Sequence, residues 1–456
     1  MLKKQTELGP PPPQPAQHPA LARSILLILI PSTILAIVLW PLCLALSLLP
    51  FFGFIGIPWL LILSLFLLYG LSSIPYLLFA QDDPPEGSSL LVLPLSPFRA
   101  WRVVKTMFQQ TVPIFNLGLL ELVLDFSYRR IIVLGGRKGK SAIVHENIAY
   151  NTNGNTTKRL DVYVPPEWSS TYANRPYEDG LEADHSHVPS SALAPVIVFV
   201  HPGGWSFTHK GFYIQLALRL RRLGFCVIVP NFTQFPEGRC DEAVRDLRKA
   251  LAWVQRSAHL YGGDGDRTYL MGHGSGAHLA LLTIVQDAVV RSRDDSPPDV
   301  PMPPGLSHLK LPDQWTCAIQ VEGLILLAGI YDPVKHVRTE ARTGLEVFST
   351  LRRALGPSHA HTLLHSPAHL LYASKHFLQP DRLPSKVLLV HGGRDTNVPI
   401  VQSVLCKTLL VGVGVEEVRL RAYRELGHMD ALVAMMMDGR RYGSLIDSEI
   451  VSLVTS

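Results

Sequence analysis

Four short stretches carry residue types suited to acyl transfer from a hydroxyl. The first is YLMGHGSGAHLA, Tyr269 to Ala280, where an apolar run meets glycines and then a helix-forming segment. A nucleophile on such a strand, turn and helix elbow requires the pattern G-x-S-x-G. Laid on Gly272 and Gly276, that frame puts Gly274 where the hydroxyl belongs and leaves Ser275 one position late. The second stretch is HPGGW, His201 to Trp205, directly after the apolar run PVIVFV. Glycines there let backbone amides approach a reacting carbonyl. Pro202 lacks an N–H, but Gly203 and Gly204 keep theirs, enough for a two-donor oxyanion hole. The remaining two stretches are HGGRDTNVP, with Asp395, and ELGHMD, with His428. A histidine takes the nucleophile's proton and a carboxylate orients that histidine, and the chain order nucleophile, acid, histidine is the one G-x-S-x-G enzymes use.

The late serine is the difficulty. Position 274 is the elbow, where strained backbone aims a side chain at the histidine; glycine there relieves strain and removes the oxygen. Ser275 begins the following helix and suits an N-cap role. Proton transfer needs heavy atoms within roughly 2.6–3.2 Å, while the next Cα lies about 3.8 Å further on. Ser275 therefore reaches His428 only if the turn shifts by one residue, in which case the Gly276 amide joins the oxyanion hole.

These residues need strands to carry them. From Ile143 onward strand-like runs alternate with helical ones, the pattern of a mostly parallel sheet covered on both faces. PVIVFV (195–200), FCVIVPNF (225–232), RTYLMG (267–272), GLILLAG (323–329), KVLLVHG (386–392) and VRLRAY (418–423) predict strands. GFYIQLALRLRRLG and CDEAVRDLRKALAWVQRSA repeat apolar residues every three or four positions and predict crossover helices. Two insertions, about 292–315 (proline-rich) and 332–380 (helical, histidine-bearing), leave the C-terminal side of the sheet. Ligand crevices of open α/β sheets lie there, so both are expected to form a cap.

Ahead of this domain the composition changes. Mean hydropathy is +0.19, and the excess is local: Ile25 to Ala80 holds no Lys, Arg, Asp, Glu or His. A bilayer core needs roughly 20 apolar residues in a helix, so 24–80 predicts two transmembrane helices, about Ser24 to Leu49 and Phe54 to Phe79, hinged at LLPFFGFIGIP. The run is too long for a cleaved signal peptide. Lys3, Lys4 and Arg23 precede it, and Arg99, Arg102 and Lys105 follow it, which places both ends in the cytosol. Residues 1–23 are expected to be a disordered proline-rich tail, and 81–142 a linker followed by a membrane-proximal helical segment; the domain carrying the four stretches is expected over 143–456. A net charge of +5 makes no case for nucleic acid. Five scattered cysteines without a CxxC pair suggest neither a disulfide framework nor a metal site.

From about Leu160 to Met437 the chain resembles α/β-hydrolases of the carboxylesterase type, in particular membrane-bound isoprenylcysteine methylesterases and the related feruloyl-esterase-like (BD-FAE-like) group. HPGGW, NFTQFPEG with the helix bearing Asp246 and Trp253, YGGDGDRTYLMGHGSGAHLAL, HGGRDTNVP and ELGHMD carry the resemblance. It implies an α/β-hydrolase fold, no metal or organic cofactor, and hydrolysis of a carboxylic ester, such as a prenylated cysteine methyl ester or another apolar or lipid-modified small-molecule ester. It also implies Asp395 as acid, His428 as base, and Gly203 and Gly204 as oxyanion donors; together with the short, simple spans it points to the endoplasmic reticulum membrane as location. It supplies no nucleophile, because its serine position is Gly274. Three readings follow: Ser275 attacks from a shifted turn; the site is degenerate and serves ligand or partner binding; or His428 and Asp395 activate water. Oligomeric state is left open.

Overall fold

The computed structural model describes residues 19–79, 96–135 except 117, 143–168 except 154–155, 193–297 except 207, 303, 305–309, and 320–456 except 344–345, 347–348 and 357. Residues 1–18 of the proline-rich tail, most of the linker and much of the 292–315 insertion lie outside the described residues, while 19–23, expected in the tail, are the first residues of the helix that follows it.

Helices α1 (Pro19–Ser47) and α2 (Gly53–Phe79) form an apolar hairpin. The turn falls at the glycine- and proline-rich break, and small residues let the helices approach: a Cβ at Gly70 would stand 2.7 Å from Thr33 Oγ1. Trp40 donates from Nε1 to Ser64 Oγ across the pair at 2.9 Å. Ser24–Ser47 and Gly53–Pro75 are long and apolar enough to cross a membrane, and they leave Leu27, Ile28, Ile34, Leu61 and Ile62 more than half exposed. Helix α3 (Pro97–Asn116) packs against α2, and α4 (Leu119–Tyr128), continued by a π turn at Arg129–Val133, leads to the next domain.

The described strands form one sheet in the order β1-β2-β4-β3-β5-β6-β7-β8. They are β1 (Val144–Asn153), β2 (Thr156–Tyr163), β3 (Ala194–Val200), β4 (Cys226–Pro230), β5 (Gly263–His273), β6 (Gly323–Leu327), β7 (Lys386–Gly392) and β8 (Glu417–Tyr423). β1 and β2 pair antiparallel at one edge, and β4 through β8 run parallel. The central strands are apolar at successive positions because both faces are covered. On β3, Val196, Val198 and Val200 enter one core cluster while Ile197 and Phe199 enter the other.

One face is covered by α6 (Cys240–Ser257), α7 (Ser275–Asp294), α11 (Pro367–Ser374) and α12 (Val401–Gly412). The opposite face is covered by α5 (Ile214–Arg222), α13 (Asp430–Met436) and α14 (Arg441–Thr455). Between β6 and β7 the chain runs through α8 (Pro333–Thr343), α9 (Leu351–Leu355), α10 (His359–Leu364) and α11, so the helical character expected for 332–380 is what the structure has.

Candidate active site

The C-terminal ends of β3, β5, β7 and β8 converge, and with them the four stretches. β5 ends at His273, Gly274 turns with φ 54° and ψ −117°, and α7 begins at Ser275. That backbone conformation is costly for any residue with a side chain. The turn is held from both sides: the Gly274 amide donates to Leu327 O at 2.9 Å, and its carbonyl accepts from the His278 amide at 3.1 Å. Its flanking glycines are pressed against backbone. A Cβ at Gly272 would lie 2.6 Å from the Ala277 amide nitrogen, and one at Gly276 would lie 2.1 Å from Val200 O. A shift of one residue would bring His273 and Ala277 into those two places, each with a Cβ that has no room. The turn is therefore locked with Gly274 at the elbow.

His428 faces that elbow. A Cβ built on Gly274 would stand 3.3 Å from His428 Nε2 and 3.9 Å from Pro202 Cβ, which is the place of a nucleophile side chain. Ser275 is buried as the first residue of α7, and among the described residues no hydrogen bond joins it to His428. The structure thus brings Asp395, His428, Gly274 and the 202–204 loop together, and does not bring the Ser275 hydroxyl to the imidazole.

Asp395 and His428 form a directional pair. His428 Nδ1 donates to Asp395 Oδ2 at 2.8 Å, which leaves Nε2 turned toward the elbow. Asp395 Oδ1 accepts from the amides of Asn397 and Val398 at 2.9 and 2.8 Å, and His391 Nε2 lies 3.4 Å from Oδ2. Burial alone would raise this carboxyl, but the charge of His428 and the hydrogen bonds from His391, His428 and Val398 outweigh it and hold it well below the usual carboxylate range. It is an anion at neutral pH. His391 is itself fixed, with Nδ1 against Ser403 Oγ at 2.7 Å and Nε2 against Val398 O at 2.8 Å.

His273 secures the base from behind. Its Nε2 lies 2.8 Å from the His428 carbonyl; since a carbonyl only accepts, Nε2 carries the proton. Burial first, then neighbouring His428, push His273 down to about 3, so it stays neutral. His278, by contrast, is tied on both nitrogens. Trp205 Nε1 donates to Nδ1 at 3.1 Å, and Nε2 meets His365 O at 2.8 Å.

The HPGGW loop lies beside the elbow with Gly203 at φ 142° and Gly204 at φ 58°. Among the described residues neither glycine's amide is spent on a hydrogen bond, so both remain donors. The 332–380 excursion touches this loop: Thr350 Oγ1 donates to Gly204 O. His336 and Glu340 of α8 are buried nearby, with His336 Nε2 3.7 Å from Glu340 Oε1. With Gly274 at the elbow, the amide that follows it is that of Ser275. The helix-terminal donor is then Ser275 N–H, whereas Gly276 was expected from a shifted turn. Sequence reasoning missed this amide, the His273 strut and the His391 clamp. The first was legible in the frame itself, and the other two depend on contacts between separate strands.

The BD-FAE family model matches residues 187–410. A probable isoprenylcysteine alpha-carbonyl methylesterase of Arabidopsis thaliana is 30% identical over 156 residues, which is 34% of this chain and 31% of that protein. An isoprenylcysteine alpha-carbonyl methylesterase of the same plant is 25% identical over 296 residues, covering 65% of this chain and 59% of its own. The chain thus spans less than two thirds of either relative. Among solved structures, esterase B of Lactobacillus rhamnosis superposes with a TM-score of 0.50 at 14% identity, over 79% of this chain and 96% of that one, a likeness of fold.

Proposed function

We propose that this chain, an α/β-hydrolase of the carboxylesterase type, acts on apolar carboxylic esters at a membrane and does so without a serine nucleophile. The observation that carries this is His428 Nε2 directed at the empty side-chain position of Gly274, 3.3 Å from where a Cβ would be, with Asp395 fixed behind it. Water fills the place of the missing hydroxyl. His428 takes a proton from that water through Nε2, and the water oxygen bonds to the ester carbonyl carbon. The resulting oxyanion is held by the amides of Gly203, Gly204 and Ser275. Collapse breaks the bond to the alkoxy oxygen, which leaves with the proton held by His428, giving acid and alcohol with no acyl-enzyme. Asp395 stays ionised throughout and stabilises the imidazolium. Such a site retains roughly 10³–10⁴-fold acceleration over water.

The methylesterase relatives and the apolar hairpin favour a lipid-modified substrate such as a prenylcysteine methyl ester. Basic residues at both ends of the hairpin favour a cytosol-facing domain, and the endoplasmic reticulum is the proposed membrane. A second reading, a degenerate site that binds such a ligand without turnover, is favoured by the lack of a side-chain oxygen on Gly274. The two separate on a single comparison: ester hydrolysis by the parent and by His428→Ala, with a fluorophosphonate probe as control. Water chemistry requires turnover that His428→Ala abolishes and no labelling in either protein. Equal rates in both leave binding as the function, and labelling of the parent would reinstate a serine.

A further inference from the structure

The helix that joins the apolar hairpin to the hydrolase domain is apolar on two opposite sides. On one side of α4, Leu122 and Phe126 pack against the domain core, with Leu134 wholly buried beyond them. This side is clamped by Arg129, which binds Asp125 and Asp438 at 2.7 Å each, and by Gln215, which donates to Leu122 O at 3.2 Å. The outer side carries Leu120, Val123, Leu124, Tyr128, Ile131 and Ile132, each 50–72% exposed. Their spacing of three and four makes one continuous stripe along the helix and its π turn. A stripe of this size on an anchored helix marks an interaction surface.

We propose that this outer stripe lies on the surface of a lipid bilayer, so that the domain is docked face-on and does not swing freely on its tether. The inference rests on the membrane reading above. The chain's own continuity supports lipid as the occupant: the apolar hairpin precedes the stripe, and α3 packs against both α2 and α4. The outer face of α3 repeats the same chemistry, with exposed Phe98, Trp101 and Phe108 alternating with exposed Arg99, Arg102 and Lys105. Aromatic rings among basic side chains suit the headgroup boundary, and the basic groups complement anionic lipid.

The test uses the full chain reconstituted into phosphatidylcholine–phosphatidylserine vesicles, with a dansyl side chain introduced in place of one residue at a time. Leu124 and Ile131 report on the stripe, Leu61 on the hairpin, and Val404 on α12, which covers the opposite face of the sheet. Interfacial helices sink about 5–10 Å, so lipids brominated high on the acyl chain should remove about half or more of the emission at 124 and 131 and leave 404 unchanged. Quenching at 61 with 124 and 131 behaving like 404 overturns the docking and spares the tether. No quenching at 61, 124 or 131 overturns both. Probes at 124 and 131 shielded from aqueous iodide yet untouched by brominated lipid would put protein on the stripe and also overturn the proposal.

Discussion

Restoring an oxygen at the elbow is the sharpest test of how this site is built. In Gly274→Ser the new Cβ would stand 3.3 Å from His428 Nε2 and 3.6 Å from Cε1, so the imidazole must yield by a few tenths of an ångström. The hydroxyl then falls within the roughly 2.6–3.2 Å needed for proton transfer, with Asp395 already in place at 2.8 Å. The backbone cost is that of a side chain at φ 54°, about 1–3 kcal/mol, which should lower Tm by a few degrees. Losing the serine of a built triad costs up to about 2 × 10⁶ in kcat. A restored serine in a site never refined around it should gain at least about 10², equivalent to roughly 2.7 kcal/mol of barrier. The assay is stoichiometric fluorophosphonate labelling together with p-nitrophenyl ester turnover. Gly274→Ala is the control for strain, with the same fall in Tm and no gain. Gly274→Ser combined with His428→Ala should lose both labelling and rate. Ser275→Ala should leave the parent's activity unaltered. A Gly274→Ser protein that melts within a few degrees of the parent, neither labels nor gains rate, and stays so across pH 6–9 would refute the geometry on which this reasoning stands.

Two further outcomes follow from the same contacts. Gly276→Ala drives a Cβ to 2.1 Å from Val200 O, a side-chain carbon against backbone that cannot swing aside, and should cost more than about 3 kcal/mol or abolish soluble expression, whereas Gly204→Ala, with 3.9 Å to its nearest neighbour, should remain folded; equal Tm values for the two would contradict the locked turn. Burial holds His201 and His336 down to about 4 and His273 and His278 down to about 3, so below pH 6.5 the unfolded chain takes up protons that the native state does not, and each group removes about 1.4 kcal/mol per pH unit until its native value is reached. Glu340, pushed up from 4.5 to about 7 by burial, runs the other way over pH 4.5–7, leaving a net loss. The urea midpoint of the hydrolase domain should therefore fall between pH 7 and pH 5.5, and a midpoint that holds or rises would overturn this account.

Much of the fold was legible because buried parallel strands are written as short apolar runs, as in PVIVFV and KVLLVHG, and crossover helices as apolar repeats of three and four. Six of the strands stand where those runs predict them. The antiparallel strands β1, at the sheet edge, and β2, beside it, carry no such run. HENIAYNTN and TTKRLDVY mix polar and apolar residues, as strands at a partly solvated edge do. The helical nature of the 332–380 excursion was equally legible, but not that Thr350 would hold the Gly204 carbonyl, because 146 residues separate the two.

What the residues determined unaided is the inventory and its order: a glycine loop after β3, a glycine at the elbow, an aspartate and a histidine after the last two strands, and an apolar hairpin ahead of them. What they left open is whether the elbow could slip by one and present Ser275. Only the folded arrangement decided that, since the obstacle to slipping is not in the turn itself. It is the carbonyl of Val200, on a strand more than seventy residues earlier, standing where Ala277 would have to place its Cβ. The register of a tight turn is set by the backbone packed against it from outside, and local residue types do not encode that distance.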